Sequence, residues 1–182
     1  GCLVGGTIGA GAATAAGGND TRNALVGFLV GCIVGSNYAQ WVQQEKRKYA
    51  NAQAFYDAEL QATRYYNGQL ERYNAAMQAE ITQLDQSSAE LEARYRTGQA
   101  KRRDLDNQRK VLSARKAQVD SALADAEVRL KQRQAVLDYM RKYGGDPAVA
   151  SLVGEISRLE KAILALRGQS TALGNLNNRL RF

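Results

Sequence analysis

A chain of 182 residues with only three Phe and one Trp lacks the aromatic mass of a conventional packed core. Its formal charge of +7 suits an anionic neighbour (lipid headgroups, a cell-wall polymer or nucleic acid) and chooses among none of them. There is no histidine and there are two cysteines, so the commonest general base and any zinc ligand set are missing, which argues against the familiar hydrolase and zinc-protein classes.

The chain is two materials joined near Ser36. The first, GCLVGGTIGAGAATAAGGNDTRNALVGFLVGCIVGS, holds more than half of the 17 glycines and no charge except Asp20 and Arg22. Gly1, Gly5 and Gly9 recur every fourth residue, continued by Ala13 and Gly17. After the polar break GGNDTRN, Gly27, Gly31 and Gly35 do the same. Residues four apart share a helix face, so each arm presents a smooth groove where two backbones can approach closely in a lipid environment. A phosphate-binding loop is the competing reading. It needs G-x-G-x-x-G between strand and helix, or a Gly-Lys-Ser/Thr ending, and neither is present. The two arms, about Cys2–Gly17 and Ala24–Trp41, would each measure about 24–27 Å, slightly short of a bilayer core of ~30 Å. Tyr38 and Trp41 then fall where interfacial aromatics belong, with Lys46, Arg47 and Lys48 at headgroup level.

Two glycine-spaced arms joined by an Asn/Asp turn resemble the glycine-zipper two-transmembrane (2TM) family of bacterial envelope proteins. The resemblance rests on Gly5, Gly9, Gly17, Gly27, Gly31 and Gly35 with the NDTRN turn, and covers about Cys2–Gln43. It implies membrane insertion, self-association and no catalysis. Cys2, after a small residue and before Leu3 and Val4, resembles the junction at which bacterial lipoproteins are cut and acylated, although the residue equivalent to Gly1 is normally removed there. The expected cofactor list is therefore empty apart from covalent lipid on Cys2, with no metal. Leu3 after the cysteine would suit sorting to the outer membrane.

From Tyr38 to Tyr143 there is no proline, and glycine occurs only at Gly68 and Gly98. A heptad row runs through Leu70, Met77, Leu84, Leu91, Leu105, Leu112, Val119 and Ala126 to Met140, interrupted at Gly98 and Arg133. Its companion row carries Asn74, Ile81, Ser88, Tyr95, Arg102, Arg109, Lys116, Leu123, Leu130 and Leu137. Such a double row predicts coiled coil, on the order of 150 Å long if unbroken, with a fold-back at Gly98 as the alternative. The basic companion residues Arg102, Arg109 and Lys116 read first as a solvated face and second as a cationic ring. Tyr49, Tyr56, Tyr65, Tyr66 and Tyr73, with Phe55, read first as a subunit contact and second, interleaved with Arg64 and Arg72, as rings that stack on bases or sugars. YGGDP at 143–147 then stops the helix and restarts it with Pro147 at the first helical position. The segment beyond it carries Val149, Leu152, Ile156, Leu159, Ile163, Leu166, Leu173 and Leu180, and should fold back antiparallel on about Leu112–Met140, with Gly168 and Gly174 loosening its last turns.

The predicted class is all-α: a glycine-zipper transmembrane hairpin (1–41), a long coiled-coil helix (42–143) and a fold-back C-terminal helix (148–182). The expected role is non-enzymatic, an oligomeric outer-membrane lipoprotein whose coils project into the periplasm as a stalk or ring, alone or within a larger secretion, export or motor complex. Its partners would be membrane lipid, its own copies and envelope proteins. A pore lined by the hairpins is the first alternative. A coiled-coil binder of an anionic polymer through Lys101–Arg103, Arg109–Lys110 and Arg115–Lys116 is the second, with nucleic acid ranked last.

Overall fold

The computed structural model describes residues 38–143 and 147–182, and these are all-helical. Four helices follow one another: α1 (Tyr38–Lys46), α2 (Ala52–Arg96), α3 (Arg102–Tyr143) and α4 (Pro147–Arg179). The glycine-spaced arms, with Cys2, Gly5, Gly9, Gly17, Gly27, Gly31 and Gly35, lie outside the described residues. Among the described residues no helix is long and apolar enough to cross a membrane.

The stretch 42–143 is not one helix. It bends after α1 and reverses after α2. The bend has a packing cause: Val42 and Phe55 are both fully buried in the same cluster, whereas on one straight helix they would point to nearly opposite sides. Asn51 then caps α2, its side-chain oxygen accepting from the Ala54 N–H at 2.8 Å. The reversal has a backbone cause. Gly98 sits at φ +74°, its N–H donates to the Tyr95 carbonyl, and the Gln99 N–H reaches back to that of Arg94 at 2.8 Å. This pair of bonds around a left-handed glycine is the Schellman ending. The Asp104 carboxylate accepts from the Lys101 N–H at 2.9 Å and restarts the chain as α3. A continuous helix on the order of 150 Å therefore gives way to a bundle of about 67 Å, the length of the 45-residue α2.

α3 runs antiparallel to α2, and α4 runs antiparallel to α3 and hence parallel to α2. The register shows in the bonds between them: Asn67 meets Glu155 and Asn74 meets Ala162 across α2 and α4, while Asp120 meets Ser170 across α3 and α4. α4 packs extensively on both neighbours, and α2 and α3 touch each other less. Its central spine is Leu152, Leu159, Leu166, Leu173 and Leu180, one leucine per heptad and all fully buried. Pro147 stands at the first helical position as expected. Gly168 and Gly174 lie inside regular helix, where packing outweighs their ~1 kcal/mol propensity cost. Val42, Phe55, Val136, Leu137, Met140 and Leu152 close the end of the bundle at which the chain enters from Tyr38.

Candidate functional site

The heptad residues are consumed within one chain. Leu70, Met77, Ile81, Leu105, Leu112, Val119, Leu137, Ile156, Leu159, Ile163 and Leu166 are buried, and Leu84, Leu91, Leu123 and Leu130 pack partly buried against them. Expected either at contacts between copies or in a fold-back within one chain, they line a three-helix core within the chain, because the Gly98 reversal brings the rows of α2 and α3 onto α4. The aromatic stripe is redirected likewise. Phe55, Tyr56, Tyr66 and Tyr73 are buried in the bundle, and only Tyr65, 58 % exposed, faces outward.

A polar ladder runs between α2 and α4 inside this core. The Asn67 amide donates to the Glu155 backbone carbonyl at 2.8 Å and to its carboxylate at 2.9 Å. The Asn74 amide donates to the Ala162 carbonyl at 3.0 Å, and Gln169 returns a bond to the Asn74 carbonyl at 2.8 Å. Each amide spends its N–H on backbone of the facing helix, leaving the side-chain oxygens of Asn67, Asn74 and Gln169 buried without a partner. An arrangement this demanding fits one register; sliding α4 by a turn would bury several unpaired groups at about 1–3 kcal/mol each. At the rim, Arg158 ties Glu155 to Glu71, with 2.9 Å bonds to the latter.

Charged contacts link α2 to α3, two of them toward the end of the bundle where α1 packs. Arg133, which interrupts the heptad row, is buried and ion-paired with the equally buried Glu59. Burial pulls its guanidinium down to about 10, against the opposing influence of Tyr49 and Glu45. Nearby the Tyr66 hydroxyl donates to Asp125 at 2.9 Å, while Arg129 pairs with the same carboxylate and stacks 4.5 Å from the Tyr66 ring centre. Burial first, and the Asp125 charge second, push the Tyr66 phenol well above its ordinary range. Tyr73 is pushed up to about 12, chiefly by burial, and its hydroxyl has no partner. On α3, Asp120 accepts from Lys116 at 2.7 Å and from Ser170. Burial would raise its carboxyl, but these two bonds outweigh that and hold it below the ordinary value.

The basic residues singled out from sequence divide in two. Arg115 and Lys116 are spent on Glu80 at 2.6 Å and Asp120 at 2.7 Å. Lys101, Arg102, Arg103, Arg109 and Lys110 stand instead at the Gly98 end of the bundle. There a cavity of about 310 Å³ opens between the start of α3 and the residues that follow α4, lined by Arg102, Arg109, Arg181 and Asp106 with Leu105, Leu180 and Phe182. Arg109 reaches Asp106 only at 3.5 Å, and its Nε is buried without a partner. Arg181 had no signal in the sequence, since only the topology brings it to Arg102 and Arg109. Residues 94–110 and 179–182 hold nine Lys/Arg and two Asp, so this one end carries an excess equal to the whole chain's net +7. At the opposite end the backbones of Tyr38 and Trp41 belong to α1. Lys46 turns inward, donating to the Tyr139 hydroxyl at 2.6 Å, Lys48 pairs with Glu45, and Arg47 is exposed.

Among the described residues no three His, Cys, Asp or Glu side chains converge as a metal site. The carboxylates are engaged structurally: Glu92 with Arg96 and Arg179, Asp104 with the Lys101 N–H. Comparison with protein-family models, with curated proteins and with solved structures finds no match.

Proposed function

We propose that this chain is a non-enzymatic structural component of a bacterial cell envelope, held in a membrane by residues 1–37 and standing off from it as a short helical rod. The observation that carries the reading is positional. The apolar, glycine-spaced segment joins the bundle at one end, through α1, while the charge collects at the other, about 67 Å away by the length of α2. The segment is also where self-association belongs. Within the bundle the heptad residues are buried, and the large apolar side chains that remain exposed, such as Val111, Val153 and Leu164, stand singly on α3 and α4. Copies would assemble by packing the glycine rows of residues 5–35 in lipid, with acylation of Cys2 adding a second attachment, and the bundles would stand around that assembly as a stalk or ring on the periplasmic face of the outer membrane.

The test is fractionation. Full-length protein should sediment with membranes and resist an alkaline carbonate wash. Removing residues 1–37 should move a helical, cooperatively melting bundle into the supernatant, and Cys2→Ser should abolish any lipid adduct seen by mass spectrometry. A bundle that stays with the membrane without residues 1–37 would refute the anchor.

A further inference from the structure

The Gly98 end places cations where the stability of the helices does not ask for them. Arg94, Arg96 and Arg179 close the C-terminal ends of α2 and α4, where positive charge complements the helix dipole. Lys101, Arg102 and Arg103 do the opposite: they occupy the first turn of α3, whose unpaired N–H groups already make it electropositive, and only Asp104 relieves them there. Among the described residues no ion pair forms at Lys101, Arg102, Arg103, Lys110 or Arg181, and all five are exposed. Arg102 and Arg109 of α3 and Arg181, just beyond α4, outnumber a single carboxylate, Asp106, around one cavity, and guanidinium forks match the oxygens of a phosphate. Leu105, Leu180 and Phe182 complete the lining, and Phe182 is 45 % exposed.

We infer that this end of the bundle docks on an anionic phospholipid surface, with one phosphate headgroup seated among Arg102, Arg109 and Arg181. The shape decides between lipid and polymer. Sites for a nucleic-acid strand are grooves that track a backbone and offer aromatic faces for stacking. This patch is the blunt end of a rod and lines no groove with successive aromatic faces: Phe182 is the one ring in the cavity lining, and it packs on Tyr95 at 5.6 Å between centroids with Arg96 over it. A blunt cationic end with an exposed aromatic beside it suits a flat headgroup layer. Binding to that surface stands on the bundle alone. Only its consequence, a bridge between two membranes, rests on the anchor proposed above.

The test keeps the two apart. Full-length protein is mixed with vesicles of pure phosphatidylcholine and floated, which reports the anchor. Vesicles that carry the protein are then offered a second, dye-labelled population, either pure phosphatidylcholine or equimolar phosphatidylcholine and phosphatidylglycerol, and capture is measured. If the first flotation fails, direct flotation of the full-length protein with the phosphatidylglycerol vesicles reads the tip by itself. Capture should require phosphatidylglycerol and weaken as salt is raised. Each basic group near an anionic leaflet raises partition about fivefold, so R102Q/R109Q/R181Q should lose on the order of a hundredfold. R102Q/R181Q, confined to exposed positions, should lose an intermediate amount with an unchanged melting curve. Capture that ignores phosphatidylglycerol, or that survives the triple variant, overturns the inference. So does a variant that loses binding to a DNA duplex while keeping its vesicles.

Discussion

Replacing Glu59 by leucine removes the carboxylate that meets Arg133 in the interior and leaves a buried guanidinium without its counter-ion. The structure sets the direction of the penalty: burial already holds the Arg133 guanidinium below its ordinary value with Glu59 beside it, so removing the carboxylate leaves a 7 % exposed cation with its desolvation uncompensated. Breaking a buried pair from one side costs about 3–5 kcal/mol by general experience. A marginally stable bundle, with a total of about 5–15 kcal/mol, would lose a large share of it. Urea unfolding followed by far-UV circular dichroism should show the midpoint of Glu59→Leu falling sharply with an unchanged slope. The double variant Glu59→Leu/Arg133→Met should recover to within about 1 kcal/mol of the parent, since apolar side chains of similar volume satisfy such a site as well as ions do. Coupling between the two positions should then exceed ~2 kcal/mol. A single variant that loses less than ~1 kcal/mol, or two variants whose losses simply add, would show that the pair is not buried and mutually dependent in solution.

Tyrosine burial sets the alkaline limit. Tyr73 is raised to about 12 and Tyr66 is raised further in the same direction. The unfolded chain therefore releases these protons first, and stability that is complete below the unfolded value of ~10 is lost as pH climbs through the folded one. Arg133, lowered rather than raised, works the other way across the same window, so the informative quantity is the difference between parent and Tyr73→Phe. That variant should lose part of the alkaline fall and, because the hydroxyl has no partner, match or exceed the parent at neutral pH by up to ~1 kcal/mol. Lower stability at neutral pH would mean that the hydroxyl is bonded in solution. Gly98→Ala should cost about 1–2 kcal/mol in urea, with Gly98→Asn milder, because φ is +74° and an added Cβ meets nothing within 4 Å. An alanine variant as stable as the parent would rule out the left-handed turn.

Helix identity and heptad register were readable because both are periodic, and periodicity survives in one dimension. The leucines 152, 159 and 166 are buried as their spacing implied. Whether a row meets another copy or its own chain is not periodic information. The same leucines satisfy a parallel oligomer and a folded-back bundle, and the choice falls on one residue, Gly98, whose positive φ turns the chain. Its place in the row, where an apolar residue was due, was the available sign. The polar ladder was hidden for a related reason: what a buried amide such as Asn67 or Gln169 bonds to is defined only once the facing backbone is supplied, although Asn67, Asn74 and Ile81 share one heptad row, as do Glu155, Ala162 and Gln169. The basic tip was half legible. Arg102 and Arg109 stood out in sequence, while Arg181 joins them only through the return of α4.

The placement of α4 between its neighbours has a consequence for synthesis. It is made after both α2 and α3, yet it supplies the leucine spine on which both earlier helices close, and its partners on α2 lie 88 residues upstream. While the ribosome is still working toward Pro147, α2 and α3 can pair only along their smaller mutual contact, with the apolar faces meant for α4 uncovered. Folding of the bundle must then wait for α4, and joining contacts so distant in sequence slows it further. Under the envelope location proposed above, this order would keep the chain open for transport until α4 has been made, and the bundle would acquire its shape on the far side.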